Sequence, residues 1–310
     1  MFLMNLETRI GKITLRNPLI LASGVLGSSY SSLNRIYNSG FGAVITKSIG
    51  IEEKEGNPNP SVFFLHEIKS AINSVGLANP GYKLYKEELK ILIKKKVPTI
   101  VSIFGENIKE FSEVLEGLDD LPFLGFELNL SCPNTEKEGL AVGTDPQLVY
   151  KITKEMRKRT SKPIWVKLTP NITDIFEIAE AAIRGGASAL VAINTLKAMI
   201  IDIYSKKPIL GFKRGGLSGA AIKPIGIRFV YDLFERFGET IPIVGVGGIN
   251  SGYDIIEYLL AGASAVEIGT AIGIKYPENK TNLFIQQMKK YFHKQKVKSI
   301  SELIGGAHND

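Results

Sequence analysis

Short apolar runs alternate with amphipathic segments along most of the chain, and this alternation predicts its fold. The runs are rich in Ile, Val and Leu, as is typical of strands buried on both faces. They cover residues 19–24, 43–46, 99–103, 123–129, 163–168, 189–195, 242–246 and 265–270. Between them, helical segments are predicted at residues 32–38, 82–95, 109–115, 145–159, 174–184, 223–237, 253–261 and 282–293. Eight strands alternating with helices predict a parallel sheet, and eight such units in 310 residues favour a closed (β/α)8 TIM barrel over a doubly wound sheet.

Three segments do not follow this alternation. Residues 6–15 predict a short N-terminal hairpin that turns at Gly11. Residues 56–81 and 196–219 contain clusters of Gly, Pro or Asn, and we expect both to be long loops inserted near the active site. Because no linker or low-complexity tract divides the chain, we expect a single domain over residues 1–310.

The carboxyl ends of the predicted strands carry most of the candidate chemistry. In a barrel these ends converge on one face, where ligands bind. They carry Ala22, Ser23, Gly24, Lys47, Ser48, Ser102, Asn129, Cys132, Lys167, Asn194, Thr195, Gly247, Gly248, Gly269 and Thr270. A single lysine at a strand end is usually a solvated rim residue. Lys47 and Lys167 both follow apolar strand residues, and we therefore expect each to face an anionic group.

The stretch from Glu127 to Asn134 is the most informative of these strand ends, and it contains the only cysteine of the chain. A lone cysteine is usually a small buried hydrophobe. Here Asn129 and Asn134 flank Cys132, and amides are costly to bury unless something pairs with them. Pro133 cannot continue a central strand, so these polar groups should lie at its rim. The stretch predicts a small-molecule site in which the thiol, with a usual pKa near 8.5, is a candidate general base.

Glycine-containing turns late in the chain are candidates for a phosphate site. They are predicted at residues 215–219, 245–248 and 269–270. Glycine lets backbone N–H groups approach a phosphate, and barrels often bind one after strands seven and eight. For any single glycine pair, the need for a tight turn explains the glycines as well as a phosphate site does. We expect no metal site, because the three histidines are scattered and one cysteine cannot build a Cys-rich centre.

Composition narrows the class of protein. The chain is 44% hydrophobic and 22% charged, as in an ordinary globular protein. Its net charge of +7 suits an anionic ligand and weakly allows nucleic acid, but the lysines are scattered along predicted helix faces. We find no apolar run long enough for a membrane span and no pattern of a signal peptide. With one cysteine there is no internal disulfide, so we expect a cytoplasmic location.

Taken together, these motifs resemble those of the class 1 dihydroorotate dehydrogenase family, and the resemblance covers nearly the whole chain. It is carried by residues 21–24, 46–48, 56–58, 73–77, 79–81 and 129–134, and further on by residues 166–171, 193–195, 216–219, 222–224 and 247–249. The resemblance implies an FMN-containing barrel that oxidises (S)-dihydroorotate to orotate in de novo pyrimidine (UMP) biosynthesis.

The resemblance also implies roles for individual residues. In that family, the cysteine of the Asn-x-Ser-Cys-Pro-Asn motif removes the C5 proton of dihydroorotate, and a hydride passes from C6 to N5 of the flavin. Cys132 is then the catalytic base. The orotate site would be lined by Lys47, Asn73, Gly76, Leu77, Asn129, Asn134, Asn194 and Thr195. FMN would be held by Ala22, Ser23, Lys47, Ser48, Asn129, Lys167, Ile193, Gly219, Gly247, Gly248, Gly269 and Thr270, with the last few at its phosphate.

Partners follow from the subclass that the motifs resemble. Residues 168–171 and 217–219 resemble the subclass that works with an iron–sulfur, FAD-containing electron-transfer subunit, whereas residues 73–77 are closer to the fumarate-using subclass. Ser61 stands where the family leads us to expect an arginine. The resemblance implies a homodimer, and a heterotetramer with the electron-transfer subunit. It implies no binding to nucleic acid or membranes.

Two other functions compete with this interpretation. A dihydropyrimidine dehydrogenase-like flavoprotein would share the barrel and the cysteine but act on a different pyrimidine. A non-catalytic, RNA-binding barrel is suggested only by the net charge of +7, and it predicts a colourless protein with salt-dependent RNA binding.

Overall fold

The computed structural model of the protein describes residues 5–130, 142–274 and 277–309. The strands, in chain order, are β1 (Thr8–Ile10), β2 (Ile13–Leu15), β3 (Leu19–Leu21), β4 (Ala43–Ile45), β5 (Glu53–Lys54), β6 (Val62–Leu65), β7 (Ser70–Asn73), β8 (Asn79–Pro80), β9 (Thr99–Ile103), β10 (Gly125–Asn129), β11 (Ile164–Leu168), β12 (Ala189–Ala192), β13 (Leu196–Ala198), β14 (Ile201–Asp202), β15 (Lys207–Pro208), β16 (Gly215–Gly219), β17 (Ile243–Val246) and β18 (Ala263–Ile268). The α-helices are α1 (Tyr30–Asn38), α2 (Tyr82–Lys94), α3 (Ile108–Leu118), α4 (Pro146–Arg159), α5 (Ile175–Arg184), α6 (Lys223–Phe237), α7 (Gly252–Leu260), α8 (Thr270–Ile274) and α9 (Pro277–Gln295).

Eight of the strands close into a parallel barrel, in the spatial order β3, β4, β9, β10, β11, β12, β17, β18 and back to β3. These are the eight apolar runs of the sequence, and the predicted TIM barrel is confirmed. The strands are buried along nearly their whole length, because helices cover the outer face and side chains fill the interior. Ile20, Ile45, Ile100, Trp165 and Val244 belong to one apolar cluster inside the barrel.

The predicted N-terminal hairpin is present and closes the amino-terminal end of the barrel. Strands β1 and β2 pair in antiparallel fashion, and Ile10 and Ile13 join the apolar cluster of the barrel interior. The Thr8 hydroxyl donates to the carbonyl of Ser264 at the start of β18 (2.5 Å). With this end sealed, the opposite end is the one that remains available to ligands.

The predicted helices are present, and the main differences lie at their ends. Helix α3 is longer than predicted at both ends. It begins at Ile108, after the cap residue Asn107, whose side chain accepts from the Glu110 N–H (3.0 Å), and it continues to Leu118. Helix α9 begins before the predicted residue 282, at Pro277. In the part of the chain that the structure describes, no helix is both long and apolar enough to cross a membrane.

Helix α4 offers a direct test of capping. Asp145 Oδ1 accepts from the N–H groups of Gln147 and Leu148 (2.8 and 3.3 Å). Asp145→Ala should lower the free energy of unfolding by about 0.5–2 kcal/mol, because two N–H groups in the first turn of the helix lose their acceptor. Urea unfolding measures this, with Lys151→Ala on the exposed face of the same helix as control. An equal effect of the two substitutions would contradict the cap.

The two insertions are present as expected, but they are not loops throughout, because each contains strands. They pair with each other in a four-stranded sheet of order β13–β16–β7–β6, in which Gly216 of β16 lies opposite Asn73 of β7. Residues 215–219, predicted as a glycine turn, form the strand β16 inside this sheet. Glycine is needed at 216 because a Cβ there would overlap Thr195 Oγ1. We call this unit the insertion sheet.

Candidate active site

A cavity of about 1060 Å³ lies between the carboxyl ends of the barrel strands and the insertion sheet. Its lining comes from the ends of β3, β4, β10, β11, β12, β17 and β18, and from β7, β13 and β16 of the insertion sheet. Both long insertions therefore contribute to the cavity, as expected, and they do so through strands as well as through the loops that follow or precede them.

The predicted site residues gather around this one cavity. Those that line it are Ala22, Ser23, Lys47, Ser48, Asn73, Gly76, Leu77, Asn129, Lys167, Ile193, Asn194, Thr195, Gly219, Gly247, Gly248, Gly269 and Thr270. The proposed base Cys132 and the amide Asn134 lie outside the described residues. So does most of the segment that follows, up to residue 143, of which only Val142 and Gly143 are described, in a short 3-10 helix.

The deepest part of the cavity is a buried charge cluster. Lys167 Nζ lies 2.5 Å from Glu267 Oε2, 3.7 Å from Glu127 Oε2 and 3.4 Å from Ser23 Oγ. Burial alone would lower the pKa of Lys167, but the negative charges of Glu127 and Glu267 outweigh it and raise that pKa. Burial, together with the charge of Glu127, raises the pKa of Glu267 well above its usual range. We call Ser23, Lys167 and Glu267, which line the cavity here, the cavity floor.

A chain of hydrogen bonds fixes the amides at the strand ends. Asn129 Nδ2 donates to Ser48 Oγ (2.9 Å), and the Ser48 and Ser102 hydroxyls lie 2.9 Å apart. Asn194 Nδ2 in turn donates to Asn129 Oδ1 (3.5 Å). Opposite them, Asn73 Nδ2 donates to the carbonyl of Gly216 (3.3 Å). Three amides from distant parts of the chain are thus held at one cavity in defined orientations.

Lys47 is the cation best placed to meet an anionic ligand. It is partly buried at the end of β4 and lines the cavity. Burial lowers the pKa of Lys47, and no carboxylate of the described residues forms an ion pair with it. Lys167, by contrast, already faces two carboxylates. Both lysines were expected to face an anionic group. Lys167 faces carboxylates of the protein itself, whereas Lys47 is available to an anionic ligand.

The turns after β17 and β18 form an open backbone cradle. Gly247 and Gly248 both have positive φ (127° and 72°), and a Cβ on Gly248 would lie 2.5 Å from Lys223 Cβ. The Tyr258 hydroxyl donates to the carbonyl of Gly247 (2.7 Å), which fixes the turn. At Gly269, a Cβ would meet nothing nearer than 3.5 Å. This cradle fits a phosphate group that backbone N–H groups approach closely.

Position 61, where an arginine was expected, lies near a segment of the second insertion that carries Arg214. Ser61 does not line the cavity. A neighbouring segment of the second insertion packs against its loop, where the Gly211 N–H donates to the carbonyl of Pro60 (2.9 Å). Arg214 in that segment is exposed and lines the cavity. A guanidinium is therefore present at the outer part of the cavity, supplied from the second insertion.

Sequence reasoning missed Glu127 and Glu267 as site residues. Each is fully buried in a barrel strand between apolar neighbours. A carboxylate in an otherwise apolar strand needs a cation nearby, and this requirement could have identified both glutamates from the sequence. The cation that they require is Lys167, which the sequence analysis names as a site residue.

An eight-stranded parallel barrel with a large ligand cavity at the carboxyl ends of its strands is the architecture of the (β/α)8 enzymes. Within that class, the chain belongs to the dihydroorotate dehydrogenase family, whose sequence model matches residues 5–289.

Three archaeal relatives align with nearly the whole chain, and each is named "Dihydroorotate dehydrogenase B (NAD(+)), catalytic subunit". The protein of Methanocella arvoryzae is 48% identical over 305 residues, covering 98% of each chain. That of Pyrococcus furiosus is 45% identical over 305 residues, covering 97% of this chain and 98% of the relative. That of Methanocaldococcus jannaschii is 44% identical over 307 residues, covering 98% of each chain.

Proposed function

We propose that this chain oxidises (S)-dihydroorotate to orotate in de novo pyrimidine biosynthesis, with FMN as its cofactor. The observation that carries the proposal is found at one cavity, where a partly buried lysine, which has no carboxylate partner among the described residues, lies together with three oriented amides. A planar ring with one carboxylate, several carbonyls and N–H groups is a ligand that such a set recognises. Membership of the family and the names of the relatives support the same substrate.

In this proposal FMN would occupy the part of the cavity between the glycine cradle and the cavity floor. Its phosphate suits the cradle of Gly247, Gly248, Gly269 and Thr270, and its ring would rest toward the cavity floor near Lys167. Ala22, Ser23, Ser48, Ile193 and Gly219 line the same space and would complete its binding site. When bound, FMN supplies the hydride acceptor that the reaction requires.

In this proposal the chain's own residues bind, orient and deprotonate the substrate. The Lys47 ammonium binds the carboxylate, while Asn73, Asn129 and Asn194 donate to and accept from the ring. The hydrogen bonds that hold these amides reduce the reorganisation needed in the reaction. Cys132, as the thiolate, takes the C5 proton onto Sγ.

The names of the relatives also support a partner. A catalytic subunit that uses NAD⁺ implies a second subunit, and we propose an iron–sulfur, FAD-containing electron-transfer subunit. We further propose a homodimer of this chain within a heterotetramer, a single domain over residues 1–310, and a cytoplasmic location.

An anaerobic half-reaction tests the function. The chain is purified alone, supplied with FMN, and its visible spectrum is recorded before and after dihydroorotate is added. We expect a flavin band that dihydroorotate bleaches. Fumarate, NAD⁺ and an artificial quinone are then offered separately, and reoxidation by the quinone alone is expected for a chain that lacks its partner. A flavin that dihydroorotate does not bleach would favour a dihydropyrimidine dehydrogenase-like activity, and a protein that never binds FMN would contradict the proposal.

The phosphate cradle gives a separate prediction. Gly248→Ala should weaken FMN binding by about tenfold or more, because the added Cβ clashes with Lys223 and alanine is strained at positive φ. Fluorescence titration of the FMN-free protein measures the dissociation constant. Its melting temperature, measured alongside, separates a damaged cradle from general destabilisation. Unchanged FMN affinity would show that the phosphate binds elsewhere.

A further inference from the structure

The buried charge cluster leaves acceptors without donors. Of the four carboxylate oxygens of Glu127 and Glu267, one accepts from Lys167 at 2.5 Å. The other three, Glu127 Oε1 and Oε2 and Glu267 Oε1, are buried and accept no hydrogen bond within the described part of the chain. A buried carboxylate oxygen that accepts no hydrogen bond is costly, because the water it has lost is not replaced by another donor. Within the described residues, the cluster therefore lacks a hydrogen-bond donor.

The charges of the cluster point to the same missing group. With both carboxylates ionised, Lys167 would leave one net negative charge in a site where Glu127 is 0% and Glu267 1% exposed. Two carboxylates that share one ammonium also repel each other, and burial strengthens that repulsion. One proton removes the excess charge and supplies the donor. The raised pKa of Glu267 agrees with this.

We propose that Glu127 and Glu267 share one proton and act together as positioning residues, which hold the Lys167 ammonium on the cavity floor within an electrically neutral unit. Lys167 and Glu267 lie on β11 and β18, which are not neighbours in the barrel, so their ion pair crosses its interior. Glu127, on β10 beside β11, approaches the same ammonium from a second side. The unit therefore fixes the direction of the Nζ without giving the floor a net negative charge that would oppose an anionic ligand.

Infrared spectroscopy tests the shared proton directly. Protein labelled with ¹³C-glutamate is expected to show, at neutral pH, the C=O stretching band of a protonated glutamic acid. Glu127→Gln and Glu267→Gln should each abolish the band, because the single remaining carboxylate pairs with Lys167 and is ionised. Glu106→Gln, at an exposed ion pair with Lys54, is the control and should retain it. Absence of the band from the unsubstituted protein, or its survival in either cluster variant, would overturn the proposal. The spectrum of the unsubstituted protein shows whether a protonated glutamic acid is present even if a variant fails to fold.

The flavin potential gives a second readout, which rests on the proposed FMN binding. If the pair carries one proton, each Gln substitution leaves the net charge unchanged, and the midpoint potential of bound FMN should not shift. Lys167→Met removes a positive charge from the floor and should shift the potential downward, which establishes that the flavin senses this site. A positive shift in both Gln variants would mean that a full negative charge was lost, and would overturn the shared proton. Failure to bind FMN would count against the proposed function while leaving the infrared result intact.

Discussion

Cys132→Ala is expected to retain bound, yellow FMN and to lose about 10²- to 10⁴-fold in turnover near neutral pH, the usual contribution of a general base. The substitution removes the proposed acceptor for the C5 proton and leaves the described cavity residues unchanged. Steady-state turnover with an artificial acceptor and the rate of anaerobic flavin bleaching both measure the loss. Near-normal turnover would refute Cys132 as the base.

Cys132→Ser separates a missing base from a damaged site. A serine hydroxyl is similar in size to the thiol, but it is much harder to deprotonate than a thiol whose usual pKa is near 8.5. We therefore expect partial activity with a higher pH optimum than that of the unsubstituted protein. A serine variant that is as inactive as alanine at every pH would indicate that sulfur serves another purpose at this position.

The barrel could be predicted because its strands have a strong local signal. Strands buried on both faces must be apolar along their whole length, so β4 and β12 appear in the sequence as uninterrupted apolar runs. Helix ends were less predictable, since a cap such as Asn107 acts through one side chain. Eight such strands that alternate regularly with helices leave few alternatives to a closed barrel.

The insertion sheet could not be predicted in the same way. Its central pair joins β7 to β16, which are separated along the chain by four of the eight barrel strands, and β16 consists largely of glycine. Glycine disfavours a strand by local propensity, and here it is required because the backbone passes close to Thr195 and to the carbonyl of Asn73. The pairing that makes these residues a strand joins segments distant in sequence, so a local pattern does not show it.

The candidate site was predictable in its membership but not in its charge balance. The strand-end rule gathered Lys47, Asn129, Lys167 and Asn194, because parallel strands deliver their carboxyl ends to one face. By that rule, Lys47 and Lys167 are both expected to face an anionic group. The structure separates them, since barrel closure brings Glu267 to Lys167 across the interior and leaves Lys47 without a carboxylate among the described residues.

That separation makes Lys47→Met the second substitution with a large expected effect. A charge-assisted hydrogen bond contributes about 1.5–3 kcal/mol, so its loss should raise the KM for dihydroorotate by roughly 10- to 100-fold. The dissociation constant of orotate, measured from the perturbed flavin spectrum, should rise in parallel. Lys54→Met, which removes an exposed lysine paired with Glu106, is the matched control and should change neither value.

A ligand without the carboxylate completes the test of Lys47. Uracil has the ring of orotate but no carboxylate, so Lys47→Met should weaken orotate binding far more than uracil binding. The difference between the two losses isolates the interaction between the ammonium and the carboxylate, because effects of the substitution on the ring or on FMN act on both ligands. Equal losses would mean that Lys47 does not read the carboxylate. The distinction between dihydroorotate and the uncharged dihydropyrimidines would then have to come from another cation at the cavity, for which the exposed Arg214 and Lys197 are candidates in the described chain.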